Sequence, residues 1–451
     1  MRVLWLCSFV LPEIAEKLRM EASNKEGWVA GLAQQMASHA KEENIDFAVA
    51  SPVPRELLPA GEKVLERTFE AYGGTVTFYG FYEDMINSHV YDAGLEEVSK
   101  EILRRFQPQI VHCFGTEFPH TLAMCRAFPQ KDRLLIGIQG VCARIAAVYE
   151  AGLPEYVVKR KTFRDVLKRD GIIDQKEKFV LRGQHEIEAL KLAGNVAGRT
   201  AFDKSFAEEC HEGIRYFKLG ETLRSDFYET TWDKEQTEPH SIFVSQGDYP
   251  LKGLHFVLLA LPQILKRFPD AKVYVAGNVI TARRSLMDKL KLPSYGKYLL
   301  ELIKKGNLGG HIQFLGRLTA SQMKAQYLKR SLFLNPSAIE NSPNSLGEAM
   351  LLGMPCVAAN VGGVPSVFTG GEDGITYEGD PYAGSATTQE MLERISKALA
   401  DAVITMWEHP EKEALYCQYA KVHAEKNHDR RGNYAQAMEI YRAIDANKNE
   451  G

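Results

Sequence analysis

The stretch LFLNPSAIENSPNSLGEAMLLGMPCVAA, residues 332–359, carries the pattern that decides the fold. A short apolar run is followed by a polar loop, then by an apolar helical run that begins near Ser345, and then by a second short apolar run. A strand, a helix and another strand in this order are typical of a parallel sheet wrapped by helices. Two acids, Glu340 on the loop and Glu348 in the first helical turn, lie where ligands of such sheets bind, beyond the carboxyl end of a strand.

The same alternation extends outward from this stretch in both directions. The apolar runs of strand length lie near 2–8, 46–51, 109–115, 134–140, 242–247, 272–277 and 312–316, and the helices are predicted near 27–42, 93–106, 253–267 and 319–329. A polar stretch, residues 228–241, reads as a linker. We therefore predict an α/β protein with two Rossmann-like domains, residues 1–225 and 226–425. Residues 426–451 end in a helix near 432–445 that could pack back toward the N-terminal domain or cap the other one.

Length and composition exclude several classes of protein. A chain of 451 residues is too long for one hydrophobic core, and its net charge of −3 argues against a nucleic-acid binder. The seven scattered cysteines suit reduced thiols in a cytosol, not a disulfide framework or a zinc site. The first 20 residues read as a buried strand and not as a signal peptide, and no apolar run is long enough to span a bilayer. We expect a cytoplasmic protein.

Four signals follow one another in the second half of the chain. They are GDYPLKG (247–253), FLGRLT (314–319), the pair of acids eight positions apart, and GMPCVAANVGGVP (353–365). In this order they resemble the donor domain of the GT-B glycosyltransferases, specifically the retaining family 4, also called glycosyl transferases group 1. The resemblance is strongest over 240–368 and weaker over 1–215. It implies an α/β fold of the GT-B type, with two Rossmann-like domains that face each other across a cleft. GNVAGRTAFDK (194–204) is similar to capsule and cell-surface polysaccharide members.

The resemblance assigns roles to the two acids. Glu348 would accept hydrogen bonds from two ribose hydroxyls, and Glu340 would face the hydroxyls of the transferred sugar. Each has a structural alternative. Ser345-x-x-Glu348 also matches a capping box, and Glu340 could be a solvated loop acid.

Other donor-site residues follow from the same resemblance. Lys252 would supply the cation for the leaving diphosphate, and the less favoured alternative is a surface lysine at a helix start. Backbone N–H groups near the start of the helix would approach the phosphates, which the positive end of the helix dipole favours. Arg317 would border the base, or be a surface arginine. The predicted backbone positions of the donor site are Gly27, Gly247, Asn344, Ser345 and Leu346.

Two positions depart from the family pattern. Gln246 stands where well-studied members carry a second basic residue, and Gln139 stands where many carry a histidine that contacts the sugar. An amide can form hydrogen bonds but has no charge or proton to give at neutral pH. On the acceptor side, Glu117 and Arg199 are candidates for substrate contacts, and a structural ion pair is the competing explanation.

The resemblance also implies the reaction. It predicts a retaining, metal-independent hexosyltransferase without a cofactor, in which Glu340, Lys252 and Gln139 act catalytically. The donor would be a nucleoside diphosphate sugar, most commonly a UDP-sugar, and the acceptor a glycan or a lipid-linked hydroxyl. The alternatives are a catalytically weak sensor or scaffold that binds sugar nucleotides, and another GT-B enzyme such as an epimerase or a phosphorylase. A phosphorylase would need a lysine for pyridoxal phosphate, and no such context stands out.

Residues 156–169 combine cations with apolar side chains, in the sequence YVVKRKTFRDVLKR. A basic amphipathic helix is typical of contact with an anionic membrane surface, at ~1 kcal/mol per cation near the lipid. The alternative is a solvated helix that covers the acceptor domain. The first interpretation would place the protein at the inner face of the membrane.

Overall fold

The computed structural model describes residues 1–20, 27–283, 285–384 and 387–446. They form two compact units. The first comprises residues 1–144, 179–225 and the chain from 427 onward, and the second comprises residues 145–178 and 226–426. Each unit is built on its own mostly parallel sheet, as expected of a Rossmann-like domain.

The strands of the first unit lie in the spatial order β3-β4-β2-β1-β5-β6-β7-β8, and those of the second in the order β11-β10-β9-β12-β13-β14. Apart from the antiparallel pair β3 and β4, neighbouring strands are parallel. Their bounds are β1 Arg2–Cys7, β2 Asp46–Pro52, β3 Val64–Ala71, β4 Gly74–Phe81, β5 Ile110–Phe114, β6 Leu134–Gly137, β7 Asn195–Gly198, β8 Arg215–Lys218, β9 Glu238–Val244, β10 Lys272–Ala276, β11 Ile312–Gly316, β12 Arg330–Asn335, β13 Cys356–Ala359 and β14 Ile375–Tyr377.

The helices connect these strands as crossovers. Their bounds are α1 Pro12–Lys17, α2 Gly27–His39, α3 Gly94–Phe106, α4 Pro119–Ala127, α5 Cys142–Val148, α6 Glu155–Lys159, α7 Phe163–Lys168, α8 Ile172–Leu192, α9 Ala201–Cys210, α10 Leu254–Arg267, α11 Leu286–Leu290, α12 Ser294–Lys305, α13 Ala320–Lys329, α14 Asn344–Leu352, α15 Thr388–Glu408, α16 Pro410–Asn427 and α17 Arg430–Ala446. In the described parts of the chain, none of them is both long and apolar enough to cross a membrane.

Alternation along the strands divides the core of the first unit into two layers. Trp5 of β1 belongs to the layer that includes α2 and α17, whereas Leu4 and Leu6 belong to the layer that includes α3 and α4. Successive side chains of a strand point to opposite faces, so a sheet covered on both sides reads as a nearly continuous apolar run. The final helix is thereby part of the first unit, where Trp5 Nε1 donates to Tyr441 Oη over 2.9 Å.

Residues 145–178 differ from the sequence prediction, which placed them in the first domain. They cluster with the second unit, because their polar groups are bonded to it. Asp165 Oδ2 accepts from the backbone N–H of Ser294 over 2.9 Å, and Arg160 pairs with Glu301 at 2.5 Å. Such contacts join residues more than a hundred positions apart, which local sequence patterns do not reveal.

Three further elements differ from the sequence prediction. The basic stretch 156–169 forms two short helices, α6 and α7, and not one amphipathic helix. Thr162 separates them, because its side chain caps α7 by accepting from the backbone N–H of Asp165. The linker predicted at 228–241 ends earlier, since β9 begins at Glu238. The antiparallel strands β3 and β4 were not predicted from the sequence.

Candidate active site

The central strands of the second sheet present three polar loops at one edge. β9 lies between β10 and β12, and β12 pairs with β13, all in parallel. The loops that follow β9, β12 and β13 therefore leave the same carboxyl edge, which is the ligand-binding edge of open α/β sheets. These loops contain the GDYPLKG segment, the Glu340 loop and the VGGVP segment.

Lys252 and Glu340 meet at this edge, although they are 88 positions apart in the chain. Lys252 Nζ lies 2.5 Å from Glu340 Oε1, with side chains 22% and 13% exposed. Ser337 Oγ donates to the same carboxylate oxygen over 2.7 Å. The two charged groups that the sequence assigned to different parts of the donor thus form one ion pair.

The pair fixes the protonation state of the lysine. Burial acts to lower the pKa of Lys252, but the attraction of the Glu340 carboxylate outweighs it, so the pKa is raised above its usual value. The ammonium is also 5.9 Å from the centre of the Tyr249 ring, and burial raises the pKa of that phenol. Lys252 is therefore a permanent cation at neutral pH, as a phosphate-binding group needs to be.

Two glycines allow the loops to approach one another. Gly253 has φ of 66°, and a Cβ there would overlap the carbonyl oxygen of Pro336. Gly362 has φ of 52°, and a Cβ there would overlap the carbonyl oxygen of Glu340. Only glycine adopts these conformations readily and leaves the necessary space. The glycines hold the loops after β9, β12 and β13 in close contact.

Helix α14 starts at the same edge and excludes the capping-box alternative. It begins at Asn344, after Pro343, and no side chain caps it. Ser345 is already inside the helix, where it cannot act as the capping residue. The N–H of Leu346 donates to Pro343 O over 3.0 Å, so the backbone groups that remain for an anion precede it, at Asn344 and Ser345. The predicted contact of Leu346 with the donor stays a prediction.

Glu348 is buried near the start of α14. It is 3% exposed, and its Oε2 lies 3.3 Å from the hydroxyl of Tyr327, which is also 3.0 Å from the carbonyl oxygen of Ser345. A carboxylate that is nearly out of solvent needs hydrogen-bond donors, because an unsatisfied buried acceptor is costly. The single proton of the Tyr327 hydroxyl is shared between this carboxylate and the carbonyl oxygen of Ser345.

The remaining donor-side residues lie toward the β10 and β11 side of the edge. Gln246 is half-buried, and Gly247 is held tightly, since a Cβ there would press on the side chains of Leu254 and Val275. Arg317 is exposed, and its Nε donates to Asn278 Oδ1 over 2.6 Å. The structure therefore links Arg317 to the side-chain amide of Asn278.

Arg199, one of the two acceptor-side candidates, lies in a polar cluster of the first unit. Arg199 Nη1 lies 2.5 Å from Glu221 Oε1, and the two side chains are 9% and 3% exposed. Arg199 also lies 3.4 Å from Gln139 Oε1 and donates to the carbonyl oxygen of Ile138 over 2.9 Å. Gln139 and Arg199 are brought together at the ends of β6 and β7, and the structural ion pair considered for Arg199 is present.

Glu117 and Gly27 have simpler surroundings. Glu117 Oε1 accepts from the backbone N–H of Gly140 over 2.8 Å, so it holds the turn after β6. Gly27 is the first residue of α2, and the residues just before it, 21–26, lie outside the described part of the chain.

In the described residues no group of three or more His, Cys, Asp or Glu side chains could hold a metal ion.

Sequence patterns missed several residues of these clusters. Ser337, Tyr249 and Tyr327 support the donor-side residues, and the position of Tyr249 inside GDYPLKG was the signal that could have identified one of them. In the first unit a buried pair was also missed. His120 Nδ1 lies 2.5 Å from Glu83 Oε2, with side chains 2% and 3% exposed.

Solved structures share this fold. Sucrose-phosphate synthase from Thermosynechococcus elongatus aligns with a TM-score of 0.66 at 14% identity, covering 99% of this chain and 100% of that one. Anabaena Alr3699/HepE in complex with UDP aligns at 0.61 and 15% identity, covering 98% and 100%. WaaG, a glycosyltransferase involved in lipopolysaccharide biosynthesis, aligns at 0.58 and 12%, covering 100% of both. The fold is the GT-B fold, with two Rossmann-like domains.

The second unit is similar in sequence to known proteins. Residues 225–423 match the family model described as Glycosyl transferases group 1. Phosphatidyl-myo-inositol mannosyltransferase of Mycolicibacterium smegmatis is 27% identical over 146 residues, 32% of this chain and 33% of that protein. D-inositol 3-phosphate glycosyltransferase of Corynebacterium urealyticum is 25% identical over 202 residues, 45% of this chain and 42% of that protein. The chain thus aligns with less than half the length of these relatives.

Proposed function

We propose that this protein is a glycosyltransferase that moves a hexosyl group from a nucleoside diphosphate sugar to a hydroxyl of a glycan or lipid-linked acceptor. The observation that carries the proposal is the ion pair of Lys252 and Glu340, placed at the carboxyl edge beside the start of α14. A cation, an acid and a helix N-terminus at one edge suit a ligand that presents phosphate next to hydroxyl groups.

Donor binding would exchange partners within this pair. The diphosphate takes the place of Glu340 at Lys252 Nζ, and the first backbone N–H groups of α14 receive the phosphate oxygens. Glu340 is then available to accept from hydroxyls of the sugar, and Glu348 accepts from the ribose. UDP is the nucleotide we propose, and two similar structures support this choice, since Alr3699/HepE was solved in complex with UDP and with UDP-glucose.

The reaction breaks the bond between the anomeric carbon and the diphosphate oxygen, whose electron pair leaves with the diphosphate. The oxygen of the acceptor hydroxyl bonds to the same carbon on the same face, and its proton passes to the departing phosphate. We propose that configuration is retained and that Lys252 and the α14 N-terminus carry the growing negative charge in place of a divalent metal. Addition of a chelator should then leave turnover unchanged.

Gln139 would contribute by binding and not by proton transfer. Its amide is oriented by Arg199, which is itself neutralised by Glu221. An oriented amide can hold a sugar hydroxyl, although it cannot give up a proton at neutral pH. In Gln139→Ala we expect kcat to fall while the pH dependence of kcat keeps its shape.

Thermal melting with a panel of nucleoside diphosphates and their sugars tests the proposal. A ligand present at ~100 times its Kd and bound only to the folded state adds ~2.7 kcal/mol of stability. One base should raise the melting temperature, and Lys252→Ala should weaken that shift. A panel without any shift at millimolar concentration would contradict the donor site. Turnover or slow hydrolysis of the stabilising sugar nucleotide separates an enzyme from a sensor, which would bind the nucleotide and leave it intact.

We further propose that residues 156–169 contact an anionic membrane surface. Phe163, Val166 and Leu167 of α7 are 65%, 62% and 72% exposed, and the exposed cations Lys168 and Arg169 follow directly. Exposed apolar side chains next to cations suit the boundary between lipid headgroups and acyl chains. The pairing of Arg160 with Glu301 and of Lys161 with Asp174 reduces the charge available for lipid.

Cosedimentation with vesicles tests this surface. Vesicles that contain anionic phosphatidylglycerol should bind the protein more strongly than vesicles of phosphatidylcholine alone. The double variant Phe163→Ser, Leu167→Ser should lose most of this binding, because burial of each apolar side chain contributes ~1.5–3 kcal/mol. A matched control is Leu415→Ser, which changes another exposed leucine, on α16. Equal loss in the control and the double variant would rule out the proposed surface.

A further inference from the structure

The second unit contains a cavity of about 210 Å³ that the donor-site residues do not explain. One wall comes from residues 145–178, including Arg164, Asp170 and Gln175. The opposite wall comes from Asp248 and Tyr249, which lie in the loop between β9 and Lys252. The cavity therefore lies next to the loop that carries Lys252, and it opens between two parts of the chain that belong to the same unit.

The polar groups on the first wall are held in fixed positions. Arg164 Nη2 lies 2.5 Å from Asp170 Oδ2, and the amide of Gln175 donates to the other oxygen of that carboxylate. Arg164 Nη1 also lies 3.2 Å from Asp165 Oδ1, and Asp165 is fully buried. Because these side chains are already fixed by hydrogen bonds to one another, a ligand that binds them loses little conformational entropy of the protein.

The opposite wall contains an acceptor that lacks a donor. Asp248 Oδ2 accepts from the backbone and side-chain N–H groups of Asn278. Its Oδ1 is buried and has no hydrogen-bond partner among the described residues. A buried carboxylate oxygen without a donor is costly, so the Asp248 carboxylate keeps spare acceptor capacity beside the cavity that it lines.

Charge limits the class of ligand. Asp165, Asp170 and Asp248 face one cation, Arg164, so the polar lining has an excess of negative charge. A phosphate or nucleotide would be repelled there, whereas a neutral molecule rich in hydroxyl groups would find acceptors in the carboxylates and a donor in the guanidinium. The rest of the lining is aromatic or apolar, with Tyr295 and Ile172 among its members, and it suits the C–H faces of a ring.

We infer that this cavity binds one neutral hexopyranose unit of a glycan, separately from the nucleotide sugar at Lys252 and Glu340. The choice of a sugar over another neutral polyol rests on the proposed function. A ligand in the cavity would order the loop that positions Lys252, because Asp248 and Tyr249 belong to that loop. The cavity is also linked to the next helix, α10, since Tyr295 Oη lies 3.1 Å from His255 Nδ1 near the start of that helix. The site would thus recognise part of the acceptor or product glycan.

Ligand-observed NMR with three neutral probes tests the inference. The probes are the methyl α-glycosides of glucose, mannose and galactose, each at tens of millimolar with the full chain. At least one should bind, and Ile172→Phe, which fills the cavity, should weaken it by about tenfold, the scale of one good pocket contact. Val180→Phe, on the exposed part of the same helix, is the matched control and should bind as the unchanged protein does.

A second variant and a competition complete the design. Gln175→Leu keeps the size of the side chain and removes its amide, so it should also weaken the probe if Ile172→Phe fails to fold. A nucleoside diphosphate should not displace the probe, and Glu348→Ala should not weaken it. Absence of binding by all three probes, binding that both cavity variants leave unchanged, or displacement by the nucleotide would overturn the inference. Probe binding in a protein that shows no melting shift with any nucleotide would instead contradict the proposed function alone.

Discussion

Replacing Glu340 by glutamine is expected to weaken the fold and yet tighten the binding of a free nucleoside diphosphate. In the structure, Glu340 is paired with Lys252, the cation that the diphosphate needs, and 2.5 Å separate Lys252 Nζ from Glu340 Oε1. The substitution removes the competing charge and retains a side chain of the same shape. The protein would lose an internal ion pair, and Lys252 would become available to bind the diphosphate.

The magnitude follows from the burial of the pair. An exposed ion pair contributes ~0.2–1 kcal/mol, and removing one partner of a buried pair costs ~3–5 kcal/mol. The side chains of Lys252 and Glu340 are 22% and 13% exposed, between these limits, so we expect a loss of about 2 kcal/mol in the free energy of unfolding. In the unchanged protein the diphosphate has to break this ion pair in order to bind, whereas in Glu340→Gln it does not. The Kd of the diphosphate for the variant should therefore be about tenfold lower, because ~1.4 kcal/mol corresponds to one factor of ten.

Denaturant unfolding and isothermal titration with UDP measure the two effects separately. The control is the double variant Lys252→Met, Glu340→Gln, which removes both charges and should recover part of the lost stability while binding UDP weakly. The nucleotide sugar should gain less than UDP in Glu340→Gln, because the acid no longer accepts from its hydroxyls. The reasoning is refuted if Glu340→Gln is as stable as the unchanged protein and binds UDP more weakly.

Three further substitutions have expected outcomes. Glu348→Ala should abolish the melting shift given by the nucleoside diphosphate, whereas Glu372→Ala, at an exposed acid, should keep it. Gly253→Ala should cost ~1–2 kcal/mol for its left-handed backbone and more for the overlap with a carbonyl oxygen, while Gly309→Ala, whose added Cβ meets nothing within 4 Å, should change unfolding by less than ~0.5 kcal/mol. Burial raises the pKa of Glu186 from 4.5 to about 7, so the folded state holds its proton more tightly than the unfolded state. Stability should therefore fall by about 3 kcal/mol as the pH rises from 4.5 to 7, and Glu186→Gln should remove this dependence in unfolding measured against pH. A Glu348→Ala protein that still responds to nucleotide, equal effects at the two glycines, or an unchanged pH profile would contradict the respective argument.

The sequence predicted the repeating elements well, because their signals are local. Apolar runs and helical periodicity identified β1, β2, β5 and most strands of the second sheet, and the order of four short segments indicated the GT-B fold. The antiparallel pair β3 and β4 was missed, since a hairpin at a sheet edge has a weaker pattern than a buried parallel strand. The capping box at Ser345 matched in sequence and failed in structure, because the helix already begins at Asn344, with Pro343 at its N-cap.

The sequence by itself determined which chemical groups follow which strands, because a parallel sheet places every carboxyl end at one edge. It could not decide how those groups pair, since pairing depends on side-chain distances between residues far apart in the chain. Only the tertiary structure showed that Lys252 forms an ion pair with Glu340 and that Arg199 forms one with Glu221. It also showed that residues 145–178 belong to the second unit. The cavity beside Asp248 arises for the same reason, because its walls come from segments that meet only when the chain is folded.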